Sequence, residues 1–461
     1  MTRILHSLFF AGLATLVCSQ GYQLEFYIEN MPDQDVYLSA YDKTEYTKVD
    51  SMYASNESFY FFLPEFAEAG MYRIDFTSQI EGSANTSNAY IEFIWAHESF
   101  QVSADFLHLA TSASFGNSIE NEILGVFRDY EEIYVRKITE LFRKKQDPAS
   151  DVDNDSILAS YRKLHDQRNK YYSELAQHYP DLYSSQIILS YRSVFSPPGM
   201  SAEEQVLFMK EHYFDSSPLT NPALLKSPIY TSKIIDYLKL YRGEGLSFKE
   251  QESAFMEAVD VIMANTSGDP ELRSFVVEYL LEGFESFGME RVQTYIVDTY
   301  VDETCTTDAV ELAMERVMGY RKMAEGEIAE DIYIRGADNS MIRLSEQDND
   351  YTLVIFWATY CEHCTKLIPK LLEWYYEEKP DGLDVFAISI DTSRTEWERY
   401  MALASFPWIN AIEPMGWEGK SPEDYNVYAT PTMFLLDRQR RIVAKPYTLR
   451  ELKREVNKLY K

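Results

Sequence analysis

The first part of the chain alternates between apolar and polar residues with a period of two. Leu24, Phe26 and Ile28 form one such segment, and similar segments recur as far as residue 110. Alternation of this kind is typical of strands that bury one face. Turn residues separate the segments, as at Asn30-Met31-Pro32-Asp33. Roughly six or seven short strands at this spacing predict a small antiparallel β-sandwich over residues 20–115.

After the predicted sandwich, the apolar residues recur with the period of an α-helix. Ile119 and Ile123 begin a pattern in which apolar positions lie three or four residues apart. Proline- and glycine-containing breaks divide the pattern. One of them, Asp269-Pro270, is typical of an N-cap followed by proline in the first turn. The pattern predicts roughly eight or nine helices over residues 116–325, without a repeat of fixed period.

A third kind of pattern begins with the uninterrupted apolar run from Leu353 to Trp357. Such a run is typical of a strand buried on both faces. Apolar residues at helical spacing follow it, and further short apolar runs lie at 385–390 and 433–436. We therefore predict an α/β domain over residues 326–461. The fold class is then multidomain α and β, with an N-terminal β-sandwich, an α-helical middle and a C-terminal α/β domain.

Residues 1–19 have the composition of a secretory signal peptide. Arg3 supplies a positive start, and an apolar centre runs from Leu8 to Val17. The apolar part is too short to span a bilayer, and no later stretch is long and apolar enough to do so. We predict export to the periplasm or cell envelope without a membrane span. The alternative reading makes Cys18 a lipidated N-terminus that anchors the protein.

The charge of the chain restricts its partners. Its 43 Lys and Arg residues stand against 74 Asp and Glu residues, which gives a formal net charge of −31 at pH 7. Nucleic acids and anionic lipid surfaces both repel a protein of this charge. We therefore predict no nucleic-acid partner and no docking on anionic membranes.

Two of the cysteines stand where the buried strand turns into a helix. Cys361 and Cys364 are separated by two residues, with Cys361 at or beside the predicted N-cap. Unpaired backbone N–H groups and the helix dipole favour a thiolate there, and the cysteine pKa falls to about 3.5–7.5 in such sites. This placement predicts that Cys361 is the attacking sulfur and that Cys364 resolves the mixed disulfide. His363, when protonated, would stabilise the thiolate.

Other uses of the two cysteines are half of a zinc site and a structural disulfide. A structural zinc needs two more ligands, and after signal removal only Cys305 and scattered histidines remain. We predict no metal, and no cofactor either, because the thiol pair is itself the redox group. Cys305 is either a buried bystander or a redox partner of the pair.

The residues around the cysteines carry a family resemblance. The motif Phe356-Trp357-Ala358-x-x-Cys361-x-x-Cys364, followed by Pro369, resembles the thioredoxin superfamily and especially its TlpA/ResA-like thiol-disulfide oxidoreductases. A second motif of the family matches Ala429-Thr430-Pro431-Thr432. The alternating N-terminal segment resembles a domain of unknown function that often precedes TlpA-like domains.

The resemblance implies a thioredoxin fold for residues 326–461 and assigns further site residues. Pro431 is expected to be cis and to pack against the cysteine pair, with Thr430 contacting the substrate backbone. Trp357, Tyr360 and Glu362 are the other residues expected to contact the substrate. Protein disulfides are the implied substrates, and a membrane-linked electron donor is the implied source of electrons.

The chain departs from the family at both usual positions of a proton-handling carboxylate. Ile355 stands where thioredoxin carries a buried aspartate, and Leu367 stands where ResA-like proteins carry a glutamate. Glu362 and His363 are the candidates to take over this role. The departures leave the direction of electron flow open.

The sequence thus predicts an exported enzyme that reduces or exchanges disulfides in envelope proteins. Reduction is the usual direction in the family, whereas His363 favours oxidation or isomerisation because it stabilises the reduced pair. A second hypothesis gives the main role to the β-sandwich and the helices, as a binding or scaffold protein with a secondary or inactive redox domain.

Overall fold

The computed structural model describes residues 21–77, 89–146, 153–196, 200–266, 268–302, 307–403 and 406–460. The predicted signal peptide, with Cys18, and also Cys305 lie outside these residues. The chain divides into two compact units. The first, here the N-terminal unit, comprises Met1–Leu240 and Ala264–Leu272, and the second, the C-terminal unit, comprises Tyr241–Met263 and Arg273–Lys461.

The strands of the N-terminal unit form two four-stranded sheets. They are β1 (Gly21–Glu29), β2 (Gln34–Asp42), β3 (Glu45–Ala54), β4 (Ser58–Pro64), β5 (Gly70–Phe76), β6 (Tyr90–Trp95), β7 (Phe100–Asp105) and β8 (Ser114–Gly116). One sheet has the order β4-β1-β7-β8 and the other the order β3-β2-β5-β6. The residues at alternate positions, such as Leu24, Phe26 and Ile28, are fully buried in a shared core. Their period of two therefore reflects one buried face per strand.

One strand pair of this sandwich differs from the all-antiparallel arrangement that the sequence predicts. Strands β1 and β7 pair in parallel, from Leu24 opposite Phe100 to Glu29 opposite Asp105. Strands joined by a tight turn must be antiparallel, but the first and seventh strands are joined by a long stretch of chain and can pair either way. Alternation along a strand reports its buried face and not the direction of its neighbour.

Helices occupy the middle of the chain. They are α1 (Leu109–Ser112), α2 (Ile119–Gln146), α3 (Asn154–His178), α4 (Tyr183–Ser190), α5 (Ala202–His212), α6 (Ile229–Lys239), α7 (Phe248–Ala264), α8 (Pro270–Ser286), α9 (Glu290–Tyr300) and α10 (Asp308–Lys322). Asp269 accepts a hydrogen bond from the backbone N–H of Leu272 at 3.0 Å, so it caps α8 as predicted. The two compact units share these helices between them, and the predicted three-domain boundaries stay a prediction.

The last part of the chain is an α/β domain around a five-stranded sheet. Its elements are β9 (Tyr333–Arg335), β10 (Met341–Arg343), β11 (Tyr351–Trp357), α11 (Glu362–Glu377), β12 (Leu383–Ser389), α12 (Arg394–Met401), β13 (Ile409–Ile412), α13 (Lys420–Asp424), β14 (Thr432–Asp437), β15 (Ile442–Ala444) and α14 (Leu449–Leu459). The sheet order is β13-β12-β11-β14-β15. Strand β11 is parallel to β12 and antiparallel to β14.

The central position of β11 explains its uninterrupted apolar run. Leu353 and Ile355 enter one core cluster, while Val354 and Phe356 enter the cluster on the opposite face of the sheet. A strand covered on both sides must be apolar at consecutive positions. The predicted fold class is confirmed, with N-terminal sheets, a helical middle and a C-terminal α/β domain. Within the described residues, no helix combines the length and apolarity needed to cross a membrane.

A buried carboxyl group in α7 makes the stability of the C-terminal unit depend on pH. Glu252 is 1% exposed and accepts a hydrogen bond from the backbone N–H of Arg291 at 3.0 Å. Burial raises its pKa from 4.5 to about 7, against the opposing effect of Arg291. Because the folded pKa lies above the unfolded pKa, the protonated form is favoured on folding. The stabilisation contributed by the protonated Glu252 side chain is therefore fully present at low pH and is lost as pH rises through about 7.

We expect Glu252→Gln to flatten this pH dependence. The wild-type free energy of unfolding should fall by about 3 kcal/mol between about pH 5 and about pH 8, and the variant should lose most of that change. Urea unfolding under reducing conditions at both pH values measures it. Glu257, which is exposed on the same helix, supplies the matched control: Glu257→Gln should retain the wild-type pH dependence. Equal slopes for wild type and Glu252→Gln would contradict the assignment.

Candidate active site

The two cysteines lie at the start of α11, where the strand β11 ends. Cys361 is the N-cap residue, with extended backbone angles, and its Sγ accepts a hydrogen bond from the backbone N–H of Cys364 at 3.4 Å. The sulfur thus occupies the place at which a helix start favours negative charge. Cys361 is half-buried, whereas Cys364, one turn along the helix, is fully buried. Only the first sulfur is open to a partner.

The loop before β14 lies directly against the first cysteine. The peptide bond between Thr430 and Pro431 is cis, as the resemblance implies. The Cys361 thiol donates a hydrogen bond to the backbone carbonyl oxygen of Thr430 at 3.2 Å. Thr430 and Pro431 are both half-buried. Two motifs that are far apart in the sequence therefore form one site.

The environment separates the acidities of the two thiols. Partial burial opposes ionisation of Cys361, but hydrogen bonds from the Thr430 side chain, from the Cys364 thiol and from the backbone N–H groups of Cys364 and His363 outweigh it and lower its pKa. Burial, followed by the neighbouring Cys361 sulfur, raises the pKa of Cys364 to about 12. One thiol is therefore poised to act as a nucleophile, and the other stays protonated until the first has reacted.

The residues between the cysteines are exposed on the first turn of α11. The carboxylate of Glu362 pairs with Lys366 at 2.5 Å, and both side chains are largely exposed. His363 is also exposed, and its contribution to the acidity of Cys361 comes through its backbone N–H group. Tyr360, just before the first cysteine, is 64% exposed. Glu362, His363 and Tyr360 are thus accessible to a partner, as a substrate contact requires.

The expected substrate contact of Trp357 needs a correction. The resemblance implies a substrate contact, but the side chain is 2% exposed and packs in the core cluster that contains Cys364. Its ring lies 5.2 Å from that of Tyr400. As the last residue of β11, it points to the face of the sheet that α11 covers. We assign Trp357 to the support of the site, because a side chain this deeply buried is not accessible to a substrate.

The structure also contains a buried carboxylate that sequence reasoning missed. Asp391 is 2% exposed and lies two residues beyond the end of β12. Its carboxylate accepts hydrogen bonds from the backbone N–H of Thr359 at 3.0 Å, from the Thr359 hydroxyl at 2.6 Å and from the Ser389 hydroxyl at 2.5 Å. It thereby fixes the loop between β11 and Cys361. The available signal was its place at the carboxyl end of a buried parallel strand, where α/β proteins put their sites.

The positions that carry a carboxylate in related proteins are apolar here in space as well as in sequence. Ile355 is fully buried in the core cluster of Cys364, and Leu367 is partly buried against the same cluster. Asp391 does not take their place. Its carboxylate accepts hydrogen bonds from the backbone and hydroxyl of Thr359, so it supports the loop and does not contact a sulfur atom of the cysteine pair. Among the residues that the structure describes, no three His, Cys, Asp or Glu side chains are grouped to hold a metal ion.

We expect Asp391→Ala to destabilise the domain and to slow any reaction at Cys361. The change leaves the hydroxyl of the buried Ser389 and the N–H group of the half-buried Thr359 without their acceptor, which should lower the free energy of unfolding by about 3 kcal/mol. Urea unfolding measures the effect. Glu373→Ala, which removes an exposed carboxylate from α11, should change stability by less than about 0.5 kcal/mol. A loss no larger than that of the control would show that Asp391 does not fix the loop.

Comparison with known proteins agrees with this geometry. The family model described as thioredoxin-like matches residues 349–442. The thiol-disulfide oxidoreductase ResA of Bacillus subtilis is 24% identical over 127 residues, which is 27% of this chain and 68% of that protein. ResA of Geobacillus kaustophilus is 22% identical over 140 residues, which is 30% of this chain and 79% of that protein.

Two solved structures are also similar. A thioredoxin-like protein from Bacteroides caccae is 18% identical, with a TM-score of 0.41, and the match covers 57% of this chain and 96% of that one. The thioredoxin domain of a thiol-disulfide oxidoreductase from Bacteroides vulgatus is 25% identical, with a TM-score of 0.28, and the match covers 30% of this chain and 99% of that one.

Proposed function

Since residues 349–442 match the thioredoxin-like family model and the C-terminal domain is similar to ResA-type thiol-disulfide oxidoreductases, we propose that the protein reduces disulfides of exported proteins with Cys361 as the attacking thiolate. The observation that carries the proposal is the arrangement of the two sulfurs. Cys361 is half-exposed at a helix N-cap and hydrogen-bonded to Thr430, with Cys364 buried one turn along the helix.

The reaction follows from the different environments of the two thiols. The Cys361 thiolate attacks one sulfur of a partner disulfide, so that the partner S–S bond breaks, a mixed disulfide forms, and the released partner thiolate takes a proton from water. Cys364 then loses its proton and attacks the Cys361 sulfur. The second partner thiol leaves, and a Cys361–Cys364 disulfide remains. Two electrons pass to the partner, and an external dithiol must return them for the next cycle.

The groups around Cys361 have defined parts in this proposal. The backbone N–H groups of Cys364 and His363 stabilise the thiolate. Thr430 and the exposed Tyr360 are placed to contact the partner, and a protonated His363 would further favour the thiolate. The membrane-linked electron donor and export by way of residues 1–19, with lipidation of Cys18 as the alternative, are parts of the proposal that rest on the sequence.

Catalysis of insulin reduction tests the proposal. The full chain with dithiothreitol should accelerate the precipitation of reduced insulin, and a variant with both Cys361 and Cys364 replaced by serine should not. Equal rates for the two proteins would contradict an oxidoreductase and would support the scaffold hypothesis.

The reduction potential of the pair decides the direction of electron flow. We propose reduction, for which the potential should lie near about −270 mV. A value near about −120 mV would instead identify an oxidase. Equilibration of the full chain with glutathione buffers, read by alkylation of the free thiols, gives this value.

A further inference from the structure

A helix outside the family-matched region packs against the loop that carries Thr430. The side-chain amide of Asn426 donates a hydrogen bond to the backbone carbonyl oxygen of Arg316 in α10 at 3.3 Å. The guanidinium group of Arg316 lies 5.0 Å from the centre of the Tyr428 ring and pairs with Glu285 of α8. Two independent contacts therefore join α10 to the residues immediately before Thr430.

The approach of the two segments depends on a glycine. Gly319 lies inside α10, and a Cβ atom added there would overlap the side-chain amide of Asn426. Glycine inside a helix is unfavourable compared with alanine, and at this position the missing Cβ leaves the room that the Asn426 side chain occupies. Asn426 itself has a φ of 53°, in the left-handed region that asparagine tolerates better than most residues. The contact with α10 holds the Asn426 side chain through its amide.

A displacement at Asn426 would reach the site, because the loop is held at both of its ends. Tyr425 is fully buried, and its hydroxyl donates to the carbonyl oxygen of Glu330 at 2.8 Å. Val427 is buried as well. At the other end, the carbonyl oxygen of Thr430 accepts the hydrogen bond from Cys361. Only three residues separate Asn426 from Thr430, so they have little freedom to absorb a shift.

We propose that α10 is a positioning element of the redox site, and that Gly319 allows it to hold the loop from Asn426 to Thr430 in the geometry that receives a substrate. This inference rests on the proposed function, because Thr430 is a substrate contact only there. It gives part of the helical middle an indirect role in the chemistry of the C-terminal domain, exerted through the loop from Asn426 to Thr430. Gly319 is a positioning residue, since it touches neither the sulfur nor the substrate.

The test is Gly319→Ala in the full chain, compared with Gly283→Ala. Gly283 is an exposed glycine inside α8 with open space around its Cα, so alanine should be tolerated there. Gly319→Ala should lower kcat/KM for reduction of a protein disulfide by about tenfold, mainly through KM, because the loop is displaced. Gly283→Ala should stay within about twofold of wild type. Wild-type kinetics for Gly319→Ala would overturn the inference.

A compensating change separates positioning from general damage. Asn426→Gly removes the overlapping amide and keeps the left-handed backbone accessible. The double variant Gly319→Ala/Asn426→Gly should therefore have a lower KM than Gly319→Ala alone. A loss of activity that merely follows the unfolded fraction, measured by thermal unfolding, would overturn the inference. If Gly319→Ala does not fold, Asn426→Gly alone decides: an unchanged KM overturns the inference, and a raised KM supports it.

A second readout does not need a substrate. The rate at which iodoacetamide alkylates Cys361 depends on the contact with Thr430, so Gly319→Ala should shift the pH midpoint of alkylation relative to wild type and Gly283→Ala. If the wild type fails to reduce any disulfide, the proposed function fails, and this shift alone decides the inference. Superimposable pH profiles for the three proteins would then overturn it.

Discussion

Replacing Cys361 by serine should abolish disulfide reduction, with a fall in kcat/KM of about a thousandfold or more. The reason is that a serine hydroxyl stays protonated where the cysteine is a thiolate. Insulin reduction by the full chain measures the effect. The half-buried position of Cys361 at the N-cap of α11 makes the change local.

The fold should survive this substitution, because serine is itself a favourable N-cap residue. Thermal unfolding of Cys361→Ser should therefore match that of the wild type. A folded Cys361→Ser variant that keeps more than about a tenth of the wild-type activity would remove Cys361 from the role of nucleophile.

Replacing Cys364 by serine should stop the reaction one step later. Cys361 can still attack, but the mixed disulfide with the partner has no resolving thiol and should accumulate. We expect turnover to fall by about a hundredfold and partner proteins to be held covalently. Non-reducing electrophoresis, with and without dithiothreitol, measures these species. Cys361→Ser serves as the matched control and should capture nothing.

The burial of Cys364 adds a second effect to this variant. Its side chain is fully buried in the core cluster between the sheet and α11. A serine hydroxyl there should therefore lower the free energy of unfolding by about 1–3 kcal/mol. The mixed disulfides must therefore be quantified on the folded fraction of the Cys364→Ser variant. Folded Cys364→Ser without any mixed disulfide, together with unimpaired turnover, would contradict the role of Cys364.

The sequence predicted the features that depend on local pattern. The uninterrupted run in β11 identified a strand with two covered faces, and the spacing of the cysteines placed Cys361 at the start of α11. Capping residues such as Asp269 marked helix starts because their effect is confined to the next turn. The position of Pro431 beside the cysteines came from the resemblance, since nothing local to either motif joins the two.

The sequence did not predict the features that depend on distant contacts. The parallel pairing of β1 with β7 is set by the path of the chain, to which alternation within a strand is insensitive. Trp357 ends the run that predicts a buried strand, yet it was also expected to contact the substrate, and only the packing of α11 against the sheet shows that it is buried instead. Asp391 is one acidic residue among many, and only the folded loop shows that its oxygens receive the donors of Thr359.

The pH dependence of alkylation of the two cysteines tests the central claim most directly. Reduced full-length protein is treated with iodoacetamide over a range of pH, and each site is quantified by mass spectrometry. Because only the thiolate reacts, the lowered pKa of Cys361 should bring its labelling midpoint below that of an unperturbed cysteine in a short peptide, while Cys364, with a pKa of about 12, stays unlabelled. Equal labelling of both cysteines, or a Cys361 midpoint above that of the peptide cysteine, would contradict the account.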